Sequence, residues 1–140
     1  MTLPIIFIAS TLLAHAAGPV VAPLLRDWAA ATRVGLAVMF CSTATTHSNG
    51  MRDDMARMIP STTQNPAFVV TLTGVCEGLG AIGLLVPRAR RVAAVALILL
   101  LLSVLPANIY ATISGVTFRG APPTPPFLRI LLQLFLTAVV

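Results

Sequence analysis

The sequence predicts an all-α transmembrane helical bundle, and three observations carry that expectation. Hydrophobic residues make up 57% of the 140, charged residues only 9%, and mean hydropathy is +0.94. A water-facing domain carries about 25% charge, so this chain cannot cover itself with a polar surface. The apolar residues fall into five runs separated by prolines and charges. Those runs lack the dyad alternation of an outer-membrane barrel, and an open sheet cannot satisfy its backbone in lipid, which leaves helices as the spans.

Residues 3–25 form the first run, interrupted by Gly18-Pro19 and Pro23. Ala14-His15-Ala16 resembles a small-x-small cleavage site, but no positive n-region precedes it and the apolar stretch continues past Gly18. A retained helix is therefore expected. Residues 29–46 form the second run, and 48–65 a polar stretch with Arg52, Asp53, Asp54 and Arg57. Residues 66–86 form the third, where Gly74 and Gly78 give a small-xxx-small face for close helix packing. Residues 92–115 form the fourth, with Pro106 removing one helical hydrogen bond and predicting a kink before Asn108. The loop 118–126 holds four prolines and cannot continue a helix. The fifth run, 127–140, would reach only about 21 Å against the ~30 Å of a bilayer core, which reads as a last helix cut short in a chain continuing past Val140.

Charge sets the orientation. The net charge of +5 comes entirely from arginine, with no lysine present. Arg88, Arg90 and Arg91 form the strongest basic loop, so the loop 88–91 is expected on the cytoplasmic side of a multi-pass membrane protein. Alternation then places 48–65 and 118–126 outside and the connection near Arg26 and Arg33 inside. Few, clustered charges fit this bias and not a nucleic-acid footprint; no nucleic-acid partner is expected. Trp28, beside Arg26-Asp27, reads as an interfacial anchor, and His15 as a bundle-facing or interfacial histidine.

The groups that hydrocarbon rejects are the informative ones. His47 falls at the outer end of the second run, and Glu77 about 15 Å below the outer boundary in the third. Asn108 lies about 9–10 Å below the outer end of the fourth, Gln133 at a similar depth to Asn108 in the fifth, and Arg129 enters from the outer side. Arg129 is the natural partner for Glu77, with Asn108 and Gln133 filling leftover hydrogen-bond valences. Such groups either glue helices together or line a small outward-opening polar cavity; an intramembrane ionisable residue is a functional candidate by default. Cys41 and Cys76 are staggered on neighbouring helices, which disfavours a disulfide, and there is no C-x-x-C. His15 and His47 have no carboxylate or cysteine at ligand spacing, so no metal site is predicted. No phosphate loop, nucleotide fingerprint or nucleophile elbow is present, and no cofactor is identifiable from motifs.

One set of motifs is more specific in combination. T-R-V-G-L-A-V-M-F (32–40), His47, M-I-P (58–60), T-G-V-C-E-G-L-G-A-I-G-L-L-V-P-R-A-R-R (73–91), L-P-A-N-I-Y (105–110) and R-I-L-L-Q (129–133) follow in order. Over residues 30–140 this resembles the DoxX family of small bacterial membrane proteins. The resemblance implies a four-helix membrane core at 29–140 with residues 1–28 as an additional N-terminal transmembrane helix. The family's recurrent polar positions fall on Arg33, His47, Glu77, Asn108, Arg129 and Gln133. Thr45, Thr46 and Ser48 stand where the family has a glycine and an aromatic around the histidine.

Because the family takes its name from the small subunit of a thiosulfate:quinone oxidoreductase, the resemblance implies a membrane subunit or enzyme handling a lipophilic, quinone-like molecule. His47 and Glu77 would be catalytic proton carriers, and Arg33, Asn108, Arg129 and Gln133 would bind substrate. Quinone is the one cofactor implied. Electron transfer would need a soluble or membrane oxidoreductase partner, since no cofactor motif is present. The alternatives are a non-catalytic module binding a lipid or partner subunit, and a membrane enzyme tailoring an apolar metabolite.

The topology is open to a direct check. With Ser61→Cys and Ala89→Cys introduced separately, an impermeant thiol reagent on intact cells is expected to label position 61 and spare position 89. The reverse pattern overturns the orientation.

Overall fold

Helix packing in this chain is organised by where the glycines fall. The computed structural model describes residues 2–21, 25, 27–47, 51–60, 63–115 and 125–140, with the backbone alone at 2, 19–21, 126 and 129. Among the described residues there are six helices and no strand: α1 (Thr2–Val21), α2 (Trp28–Thr46), α3 (Arg52–Arg57), α4 (Pro66–Leu85), α5 (Arg90–Ile113) and α6 (Pro126–Val139). The five apolar runs supply five of them.

Local chemistry sets the starts. Asp27 caps α2 by accepting from the Ala29 N–H, and Asn65 caps α4 by accepting from the Phe68 N–H. Pro66 and Pro126 sit in the first turns of α4 and α6, where a missing N–H costs nothing. Two expectations change. Gly18-Pro19 does not interrupt α1, which runs to Val21, because a proline so near the last turn removes little of the ladder. The polar stretch 48–65 is not all loop: it contains α3, with Asp53 and Asp54 in its first turn and Arg57 in its last, as the helix dipole favours. α5 stays helical through Pro106. The loop 118–124 and Arg26 lie outside the described residues.

Successive long helices pack side by side: α1 on α2, α2 on α4, α4 on α5, α5 on α6, with α3 against α4. Phe7 meets Phe135 edge-on at 6.1 Å, joining the first helix to the last. The shared core is built from Leu36, Met39 and Phe40 of α2, Ala81 and Leu84 of α4, Leu97 and Leu101 of α5, and Leu136 of α6. Trp28 is exposed, and its indole stacks on His15 of α1 at 3.8 Å.

α4 and α5 are each long and apolar enough to cross a membrane. Their outward faces carry large apolar side chains, among them Leu79 at 64% and Leu99 at 62% exposed. Contiguous apolar surface of this kind marks contact with a partner or with lipid.

The α4–α5 contact depends on absent side chains. A Cβ on Gly80 would lie 2.5 Å from Leu97 Cδ2, and one on Gly83 would lie 2.6 Å from Ala93 Cβ. The first clash is with the flexible end of a leucine; the second is with a Cβ that cannot swing away. At Gly78 the nearest atom is Ala44 Cβ at 3.7 Å, an ordinary contact. Gly83→Ala is therefore expected to lower stability by about 1–3 kcal/mol through overpacking. Gly78→Ala is expected to be neutral or to stabilise by up to about 1 kcal/mol through helix propensity. Thermal unfolding of the two purified variants in detergent checks this; equal melting temperatures would refute the packing argument.

Candidate functional site

α2 ends in a hydroxyl-rich stretch, Ser42, Thr43, Thr45 and Thr46, followed by His47. Each hydroxyl donates back to the carbonyl three residues earlier: Ser42 to Met39, Thr43 to Phe40, Thr45 to Ser42 and Thr46 to Thr43. Such back-bonding lets polar side chains sit in an apolar helix without an unpaired donor. His47 is the C-cap in a right-handed helical conformation, with its N–H bonded to the Ala44 carbonyl.

Its imidazole is held on three sides. Nδ1 lies 2.9 Å from the Thr43 carbonyl oxygen. The ring packs on Gly74 of α4, where a Cβ would fall 2.6 Å from His47 Cβ and 2.8 Å from Cγ. Glu77, three residues along α4, brings Oε2 to 3.9 Å from Nδ1, with both side chains largely buried. Thr43 is the other polar side chain beside this carboxyl. A carbonyl oxygen can only accept, so in the neutral ring Nδ1 carries the proton and Nε2 is the bare nitrogen. Glu77 Oε2 is buried and makes no hydrogen bond among the described residues. Beside the histidine, an open cleft of about 280 Å³ is lined by Ala44, Thr45, His47, Thr71, Gly74 and Val75.

A second polar contact joins α5 and α6. The Asn108 amide donates to Gln133 Oε1 at 3.1 Å, and Gln133 Nε2 donates to the Leu101 carbonyl. Gln133 is buried at 7% exposure, and these bonds use both ends of its amide.

The predicted residues are thus brought together in part. His47 meets Glu77, and Asn108 meets Gln133. Asn108 does not fill the leftover valence of Glu77; its described partner is on α6. Arg129 as partner for Glu77 lies outside the described residues, which include only its backbone. Arg33 stands apart: on the same straight helix it precedes His47 by 14 residues, about 21 Å along the axis. That puts it at the far end of α2, the end where the turn into α5 carries Arg88, Arg90 and Arg91 around a depression of about 380 Å³. Cys41 and Cys76 are both free and exposed. No group of three or more metal-ligating side chains occurs among the described residues.

Sequence reasoning overlooked Thr43, Thr45 and Thr71 as part of the site and read Gly74 only as a helix-packing residue. The signal was available in the run of hydroxyls directly before His47 in an otherwise apolar helix.

Comparison with protein families gives one finding. The chain belongs to the family described as Domain of unknown function (DUF8561), which matches residues 36–140. The matched stretch starts within α2, contains both polar pairs and excludes α1. Neither the curated proteins nor the solved structures give a match.

If Gly74 is what seats the imidazole against Glu77, a methyl there should uncouple the two. Glu77→Gln is expected to shift the His47 ring nitrogen resonances in the otherwise unchanged protein. In the Gly74→Ala background the same substitution should move them much less. Equal shifts in both backgrounds would show that Gly74 does not position the ring.

Proposed function

We propose that this is a multi-pass membrane protein of DoxX type, in which α2, α4, α5 and α6 form the four-helix core and α1 is an added N-terminal span. The loop at Arg88, Arg90 and Arg91 faces the cytoplasm, and the cleft between α2 and α4 opens at the opposite, outer end. The cleft takes a lipophilic, quinone-like molecule. His47 and Glu77 exchange protons with it, and the electrons pass to an oxidoreductase partner in the membrane or at its surface.

One observation carries this reading: a histidine at a cleft wall lies 3.9 Å from a buried carboxylate oxygen that has no hydrogen bond among the described residues. A pair used only to hold helices together gains most when every polar atom is satisfied. A proton relay needs an acid–base group at the surface of the site and a second behind it. The apolar outward faces of α4 and α5 support the membrane placement.

A second reading, a non-catalytic module that binds a lipid or partner subunit, is favoured by the α5–α6 contact. There Asn108 donates to Gln133 and Gln133 donates to a backbone carbonyl, a chain of bonds of the kind that holds helices together. A membrane enzyme tailoring an apolar metabolite is the remaining alternative. A neighbouring gene for a soluble oxidoreductase favours the redox reading, and a biosynthetic cluster favours tailoring.

Glu77→Gln and His47→Ala are each expected to weaken binding of a short-chain benzoquinone or its hydroquinone at least tenfold, about 1.4 kcal/mol. Ligand-induced thermal stabilisation of the purified protein reads this out. Glutamine keeps the shape of Glu77 but cannot exchange a proton. Cys76→Ser should leave binding unchanged. Unaltered binding in both site variants would reduce the pair to helix adhesion, and a folded but inactive Cys76→Ser protein would point to thiol chemistry instead.

A further inference from the structure

We infer that the cleft between α2 and α4 selects a hydrogen-bond donor, a lipophilic hydroxyl such as a hydroquinone or phenol, over the corresponding carbonyl compound. The inference rests on the proposed binding of a lipophilic molecule at this site and goes beyond it by fixing which chemical form is held.

It follows from a count of protons. Three polar side chains line the cleft: Thr45, His47 and Thr71. The Thr45 hydroxyl donates its single proton to the Ser42 carbonyl at 2.7 Å. The Thr71 hydroxyl donates to the Ala67 carbonyl at 3.0 Å. His47 commits its Nδ1 proton to the Thr43 carbonyl at 2.9 Å, which leaves Nε2 of the neutral ring as an acceptor. All three donors are spent on helix backbone, and each side chain has only lone pairs left to offer. The remaining lining residues, Ala44, Gly74 and Val75, bring no polar side-chain atom. A carbonyl oxygen placed here would meet acceptors and find no side-chain proton. A hydroxyl would find up to three acceptors.

The spent donors are not easily recovered. Turning a threonine hydroxyl toward the cleft gives up its bond to the helix carbonyl, Ser42 for Thr45 and Ala67 for Thr71. Sites built to hydrogen-bond a substrate hydroxyl discriminate strongly against analogues that lack it, because the unpaired site groups are then left buried. The apolar part of the cleft fits the same class of ligand. Ala44 and the half-exposed Val75 offer an apolar surface for a ring, and Leu72 and Leu79 on the same exposed side of α4 extend it for an alkyl tail.

The test compares three compounds on one skeleton: trimethylhydroquinone, its dimethyl ether and trimethylbenzoquinone. They are titrated anaerobically into the purified protein at one fixed pH. The hydroquinone is expected to bind at least tenfold tighter than either of the others. Thr45→Val and Thr71→Val keep the side-chain shape and remove an acceptor. Each is expected to weaken the hydroquinone about two- to tenfold, and to leave the benzoquinone unchanged or slightly tighter. Equal affinity for all three compounds would overturn the donor selectivity while leaving the cleft as a binding site. Binding of none would instead remove the functional reading on which it rests. A long-chain amine binding tighter than the hydroquinone would overturn the hydroxyl assignment in favour of a cation. Should either valine variant fail to fold, the comparison of the three compounds on the unaltered protein decides alone.

Discussion

The close approach of α4 to its two neighbours is the constraint on which the rest of this structure depends. α4 presents bare backbone to α2 at Gly74 and to α5 at Gly80 and Gly83. A side chain at any of the three would fall within 2.6 Å of an atom across the interface. Where the surrounding medium is as apolar as the side chains, burying leucine against leucine contributes little, and helices associate through tight packing and hydrogen bonds. Small residues at crossings are what permit both. The same closeness brings Glu77 of α4 to 3.9 Å from His47 of α2.

The polar groups divide according to whether their hydrogen bonds are closed. Asn108, Gln133 and the Leu101 carbonyl form a short chain with both ends of the Gln133 amide used. The four hydroxyls that end α2 are closed back onto their own helix. Ser10 reaches both its own helix and the Gly35 carbonyl across the α1–α2 contact. Glu77 Oε2 is the contrasting case, buried and unbonded among the described residues. Thr11 Oγ1 and His15 Nδ1 share that condition, but the first abuts Gly35 at a helix crossing and the second belongs to a ring stacked on Trp28; neither residue lines the α2–α4 cleft. Among the described residues, Glu77 Oε2 alone is buried and unbonded while also standing beside an acid–base side chain at a cleft.

Membership of the family matched over residues 36–140 places both polar pairs inside the matched unit and α1 outside it. α1 is nonetheless packed in: Phe7 is part of the shared core and touches Phe135 of α6. α1 therefore contributes to the packing of the bundle and, among the described residues, supplies no side chain to the α2–α4 cleft.

The sequence by itself determined the elements. Apolar runs bounded by proline, aspartate, asparagine and clustered arginine marked five helices to within a few residues, because those boundaries are set by local capping and by the loss of a backbone donor at proline. It also picked out His47 and Glu77, since ionisable groups in apolar runs stand out by composition alone. It left α3 hidden inside a polar stretch, where six residues carry too little periodicity to declare a helix. The tertiary structure alone decided the pairing. Which side chain faces which depends on the register between helices, and that register is fixed by contacts such as Gly80 against Leu97 and Gly83 against Ala93, whose partners lie on different helices. So depth along a run could suggest that Asn108 shared the site of Glu77, whereas rotation about the helix axes turned it to Gln133. Arg33 and His47 are kept apart for a different, local reason: both belong to one helix, and a helix holds residues 14 apart at opposite ends whatever chemistry they share.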